Sequence, residues 1–439
     1  MLSPWIGVTL VMVALMITIH LLSIFRDEIG DAEAVRKTLH VVMGTITLSF
    51  PWLFADPMPV LVLTVISSIF IMLLKVSNLK QWSSVICAKG RNSIGEICFP
   101  LAVGLTFILS GGNKVLYVVP ILLLTFADAA SALIGKRFGR MKYSTGDGTK
   151  TLEGSLAFSA VAFLYTFPIC CLSGLGMAES LTIASILSLL AMMFEGVAWS
   201  GLDNLFVPLG AFLVLKTHIG LPESMLILRL GLLLLLSLIV LVSRRNTTLN
   251  GSGIIASALF CYLSYTIGGI TWAVMPVILY LSYRFLLPAR FRDLQNAHSV
   301  YGVGSVGSAA VVWLLIANLN HSESFIVPYA LTFAAHAAII STAHLRFTNF
   351  NRVKLLALLY AILKAWCLIC IPLILIKPSA HILVLTIFLA PFCIGIPTFL
   401  FYVSNAHRGA SFNLPSRWWK QASFVALGSA IGLVILHAI

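Results

Sequence analysis

Residues 128–154 read DAASALIGKRFGRMKYSTGDGTKTLEG. An acidic residue inside an apolar segment is followed by glycines and cations, and a carboxylate stands where the next apolar run begins. The stretch therefore ends one apolar segment and starts another, with a basic loop between them. The surrounding chain is 59% hydrophobic and only 10% charged, so this concentration of Asp, Lys, Arg and Glu marks the first place to look for chemistry.

Working outward, apolar runs recur along all 439 residues, and the mean hydropathy is +1.01. That combination predicts an all-α, polytopic integral membrane bundle. About sixteen transmembrane or re-entrant segments fit the runs. Those at 97–110 and 205–216 are too short to cross about 30 Å of hydrocarbon unaided, and are expected to be re-entrant or broken. The first run, 2–25, has no basic residue before it and Arg26 after it, which predicts a retained span with its N-terminus outside.

Alternating the spans from that start places all but five of the 28 Lys and Arg residues on one face, the exceptions being Lys114, Lys216, Arg229, Lys364 and Lys377. The net charge of +13 is then a positive-inside signal that requires no nucleic-acid partner, and attraction to anionic headgroups is its by-product. Most of the eight cysteines lie in or beside apolar segments, so no disulfide framework is expected and the Cys367–Cys370 spacing reads as packing.

Carboxylates divide the chain differently. Only Asp293 and Glu323, of 15 Asp and Glu residues, follow position 245. Metal or acid–base chemistry is expected in a domain spanning 1–245, with 246–439 an additional multi-span membrane domain of unassigned role. In that second half, Lys364, His336 and His344 fit either a pathway or a lipid headgroup, or else structural pairing or snorkelling.

In the first half, polar residues gather at what this topology makes the cytoplasmic face. Arg36, Lys37 and His40 open the second span, with Arg36 and His40 stacked at i, i+4. A loop from Ser77 to Glu96, carrying Trp82, reads as an interfacial connector. Asp128 lies about 12 Å inside its helix end, at 1.5 Å per residue, where an ionised carboxylate is costly unless it is paired or meets water or metal. Gly135, Lys136, Arg137, Gly139 and Arg140 form a basic glycine-containing loop able to approach phosphate. Gly148, Thr149, Lys150 and Thr151 imitate a Walker A ending but lack its spacing. Lys150 and Glu153 fall at a helix N-terminus, a favourable place for bound anions, and Glu153 alternatively serves as a first-turn acid. Glu195, Asp203 and Asn204 emerge on the same side.

These residues resemble the CTP-dependent polyprenol kinase family, which includes dolichol kinase, phytol kinase and a CTP-using diacylglycerol kinase. The family's signature runs Asp-x2-Ala-x3-Gly-x3-Gly, a spacer, then Lys-Lys-Thr-x-Glu-Gly. Asp128, Gly135, Gly139, Lys150, Thr151, Glu153 and Gly154 match it; Ser131 replaces the alanine, Thr149 replaces the first lysine, and the spacer is one residue longer. The Arg36–His40 cluster and EGVAWSGLDNLFVP, 195–208, also resemble phytol kinase-type sequences, while 249–272 weakly resembles the membrane family that includes phytyl phosphate kinase.

The resemblance implies phosphoryl transfer from CTP to a membrane lipid alcohol, with Mg2+ or a similar divalent cation. Asp128, Glu153, Asp203 and Glu195 are its metal-ligand candidates. Lys150, Lys136, Arg137 and Arg140 would neutralise phosphate, supported by Arg36, Lys37, Asn204, Thr151 and Gly154, and His40 or a carboxylate would take the hydroxyl proton. The implied setting is a bacterial inner membrane, or an endoplasmic reticulum or plastid membrane. The competing readings are a lipid cytidylyltransferase forming a CDP-lipid, and a lipid transporter or scramblase.

Overall fold

The computed structural model describes residues 3–76, 82, 93–146, 148–243, 249–286, 298–347, 354–404 and 415–436. Most of the Ser77–Glu96 connector lies outside them. Eleven helices among the described residues are long and apolar enough to cross a membrane, and the sixteen segments expected from the sequence each fall on a helix. The protein is an all-α polytopic membrane bundle, and its chain forms two compact units, Met1–Leu234 and Leu235–Ile439.

The first unit contains α1 (Pro4–Ile29), α2 (Ala32–Leu48), α3 (Pro57–Val76), α4 (Gly95–Ser110) and α5 (Lys114–Phe138). A hairpin of β1 (Lys142–Ser144) and β2 (Thr149–Thr151) follows, then α6 (Leu152–Leu172), α7 (Met177–Val197) and α8 (Asp203–His218). The last helix, α9 (Glu223–Ser243), runs across the boundary into the second unit.

Close approaches set the positions of these helices. A Cβ on Gly44 of α2 would stand 2.1 Å from Thr125 Oγ1 on α5, and one on Gly104 of α4 would stand 2.3 Å from Thr64 Oγ1 on α3. Only glycine lets the backbones meet this closely. Gly44→Val is expected to destabilise the unit by about 1–3 kcal/mol through overpacking. A thermal unfolding midpoint unchanged from the parent would show that α2 and α5 can separate at no cost.

The two short segments are each one continuous helix of 16 residues, about 24 Å long at 1.5 Å per residue. They pack together and begin at the same place. Asn204 Nδ2 donates to Gly95 O at 2.8 Å, and Ile94 N donates to Ser200 O at 2.9 Å. Gly201, at φ 84°, turns the chain where a Cβ would meet Gly95 Cα at 2.5 Å. Proteins accommodate short membrane helices by packing them against others, and here their N-termini converge beside the polar cluster.

The second unit contains α10 (Gly251–Gly268), α11 (Ile270–Leu286), α12 (Val300–Leu319), α13 (Ile326–Phe347), α14 (Lys354–Ile376), α15 (Ala380–Ser404) and α16 (Pro415–Leu436). Its centre is α13, packed by α12, α14, α15 and α16, with 94% of its apolar window buried. Tyr329 ties it to α10 and α11 by hydrogen bonds to Ser264 Oγ and Trp272 O, both 3.0 Å. His336 is fully buried, 2.8 Å from Gln421 Nε2. Lys364 stands over the Tyr360 ring, and the side chain of His344 lies outside the described set. Glu323, the one carboxylate among the described residues of this unit, pairs with Lys377.

Candidate active site

Lys37, His40 and Gly44 recur at i, i+3 and i+7, so the face that Gly44 brings against α5 also carries the cation and the imidazole. On α5, a π-turn at Leu123–Ala127 widens the helix just before Asp128, a distortion often found at functional positions. Lys37 Nζ reaches Asp128 Oδ2 at 2.5 Å, with both side chains at most 10% exposed. His40 Nε2 lies 2.8 Å from Leu124 O, a π-turn carbonyl, and 3.6 Å from Asp128 Oδ2. A carbonyl only accepts, so Nε2 carries a proton and Nδ1 is the imidazole's remaining acceptor. Asp128 is thus a paired buried carboxylate, and its partner is Lys37 instead of Arg36. Arg36 turns to Glu33, 2.5 Å away.

A second cluster is built by the hairpin. Gly146 and Gly148 lie between the strands, while Tyr, Ser and Thr suit the pleated strands themselves. Tyr143 pairs with Lys150 across the ladder. Lys150 Nζ meets Glu195 Oε1 at 2.7 Å and Glu195 O at 2.5 Å, and lies 4.0 Å from Asp203 Oδ2. Burial works against the ammonium charge, but Glu195 and Asp203 outweigh it and hold Lys150 above its ordinary pKa. Burial, reinforced by Glu195, pushes the Tyr143 hydroxyl up to about 12, and that hydroxyl shares a 2.8 Å hydrogen bond with Ser155. The two clusters are neighbours: Asn204, next in the chain to Asp203, lines the same groove as Arg36 and His40.

Several residues singled out in the sequence stand elsewhere. Glu153 stands at the base of the hairpin. Its carboxylate accepts from the Met141 N–H at 3.1 and 3.2 Å, latching the hairpin base from the first turn of α6. Lys136 pairs at 2.5 Å with Asp31, the residue capping α2. Arg137 lies against Phe138, and Arg140 is exposed beside Glu153. The signature glycines stand where backbone and side chains approach closely. A Cβ on Gly139 would meet Gly135 O at 2.2 Å, and one on Gly154 would meet Ser131 O at 2.8 Å. Thr151 caps α6 by accepting from Gly154 N at 3.2 Å.

An apolar groove among α1, α2, α3 and α4 runs up to the first cluster. Met12, Leu15, Met43 and Phe70 line its walls, and Arg36, His40, Glu96 and Asn204 stand along it. The sequence places Glu96 at the end of a surface connector, because nothing in the chain order ties it to His40. It is in fact an α4 residue on the groove wall.

Among the described residues no three Asp, Glu, His or Cys side chains converge as a ready metal cage. Glu195 Oε2 is nevertheless buried without a hydrogen-bond partner, and Asp203 is one-quarter exposed. Magnesium is commonly held by one or two carboxylates together with substrate phosphates. This donor set fits a cation shared with a phosphate chain and does not fit a resident all-protein site.

The phytol kinase of Synechocystis sp. (strain ATCC 27184 / PCC 6803 / Kazusa) is 28% identical over 216 residues, which is 48% of this chain and 90% of that protein. This chain is thus similar to a phytol kinase over about half of its length. Just over half of this chain lies outside that alignment. No protein-family model and no solved structure matches the chain.

Proposed function

We propose that this protein is a lipid kinase that moves the γ-phosphoryl group of CTP, accompanied by Mg2+, to the hydroxyl of a membrane isoprenoid alcohol. The observation that carries the reading is the groove: an apolar channel suited to a hydrocarbon chain leads to His40 and Arg36, next to buried ion pairs suited to a phosphate chain. The relative's activity points to the same chemistry. We place this site at the cytoplasmic face, following the positive-inside distribution.

Phosphoryl transfer depends on positioning and charge neutralisation more than on covalent help from the protein. The alcohol oxygen attacks the γ-phosphorus, the bond from that phosphorus to the bridging oxygen breaks, and CDP leaves with the electron pair. His40 Nδ1 takes the hydroxyl proton, and Asp128, 3.6 Å from Nε2, stabilises the imidazolium that results. Arg36 and Lys150 face the phosphates, while Tyr143 and Ser155 hold the hairpin against Lys150. Asp203, Glu195 and Asp128 would hold the cation jointly with phosphate oxygens; bound there, it would spread charge away from the transferred group. Glu153, Lys136 and the signature glycines support the hairpin and its neighbouring helices.

The test is to incubate the purified full chain with γ-labelled CTP, Mg2+ and, separately, phytol, a polyprenol and diacylglycerol. Label is expected in an isoprenoid alcohol with a mass gain of one phosphate. Folded protein that labels no lipid overturns the reading, and a mass gain of CMP identifies a cytidylyltransferase instead.

A further inference from the structure

Among the described residues Glu96 is the one acidic side chain on the groove wall, and the phosphoryl transfer gives it no task. Its side chain is 11% exposed, and Oε2 is 2.9 Å from Lys75 Nζ. Lys75 is itself fixed by a second bond, 2.6 Å to Ser93 O. The carboxylate is thereby held in place with Oε1 carrying no hydrogen bond among the described residues. Asn204, on the same wall, spends its Nδ2 on Gly95 O. The cation on that wall, Arg36, is engaged by Glu33.

We propose that Glu96 is a specificity residue that admits the neutral lipid alcohol and repels its phosphorylated product. The inference rests on the kinase reading. An alcohol carries no charge and can donate its hydroxyl proton to Oε1, whereas a phosphate monoester brings about −1.5 to −2 charges at neutral pH. A fixed like charge in a partly desolvated groove discriminates by repulsion, a device that selects against the wrong ligand without tighter binding of the right one. In a kinase whose product differs from its substrate only by that phosphate, the same charge speeds clearance of the site.

The experiment uses the full chain in detergent micelles, with phytol as substrate and phytyl monophosphate as inhibitor. Glu96→Gln keeps the shape and removes the charge. Its inhibition constant for the monophosphate is expected to fall about tenfold, an effect typical of one charge pair, while KM for phytol stays within about threefold. Lys75→Met leaves the Glu96 charge without its partner and is expected to move the inhibition constant upward. Opposite shifts in two variants are not produced by a general packing defect. An unchanged or raised constant in Glu96→Gln, measured on protein that still phosphorylates phytol, overturns the inference. Parent protein that phosphorylates no lipid alcohol overturns the kinase reading instead.

Discussion

Asp128→Asn is expected to lower lipid phosphorylation by about a thousandfold, the scale seen when one preorganised electrostatic group is removed from a site. The substitution keeps the side chain's size and removes the charge that would stabilise the His40 imidazolium and share the cation. It also strands Lys37, whose side chain is 7% exposed. Removing one partner of a buried pair costs about 3–5 kcal/mol, so the variant should also unfold at a lower temperature. The two effects separate in Asp128→Asn/Lys37→Met, where the stranded ammonium is gone. Most of the stability should return, because an apolar replacement of a buried ion pair is close to neutral, while the activity stays lost. Activity returning with stability would make Asp128 a structural partner and remove it from the reaction.

That pair also marks how far the sequence could be read. An acid deep in an apolar segment is legible as costly, and a shared side for Arg36, His40, Asp128, Lys150, Glu153, Glu195 and Asp203 is the expectation that the alternation of spans gives. Which cation meets Asp128 was not legible. Arg36 and Lys37 are adjacent, and only the rotational phase of α2 decides between them. That phase is set by Gly44 meeting Thr125, a contact between segments some 80 residues apart that chain order does not reveal. The π-turn before Asp128 is hidden for the same reason, since its residues, LLTFA, are as apolar as any ordinary helical turn.

The loop after Asp128 is a different case, because its local chemistry was visible. Tyr, Ser and Thr on either side of Gly-Asp-Gly are hairpin signals, yet glycines beside cations also suit a phosphate loop. Gly135, Gly139 and Gly154 are small because Thr151 and the opposing backbone occupy the space a side chain would need. A first-turn glutamate such as Glu153 is equally ambiguous until its acceptor role toward Met141 is seen.

Lys150→Met is expected to reduce phosphorylation by about 10²–10³-fold, again the scale of one lost electrostatic group, and to destabilise the protein by about 3–5 kcal/mol as Glu195 is left buried without its counter-ion. The kinase signature that this chain resembles has a second lysine where this chain has Thr149, so the natural question is whether a cation there can substitute. Side chains alternate across a strand. Thr149 and Thr151 therefore lie on one side of β2 and Lys150 on the other, with Thr149 exposed opposite Ser144 and Lys150 directed at Glu195. A lysine at 149 sits on the wrong face to reach Glu195 and Asp203. Lys150→Met/Thr149→Lys should consequently remain as inactive and as unstable as Lys150→Met alone. Rescue by more than about tenfold in kcat/KM, equivalent to about 1.4 kcal/mol, would show that the hairpin supplies net charge to the site and not a single directed ammonium.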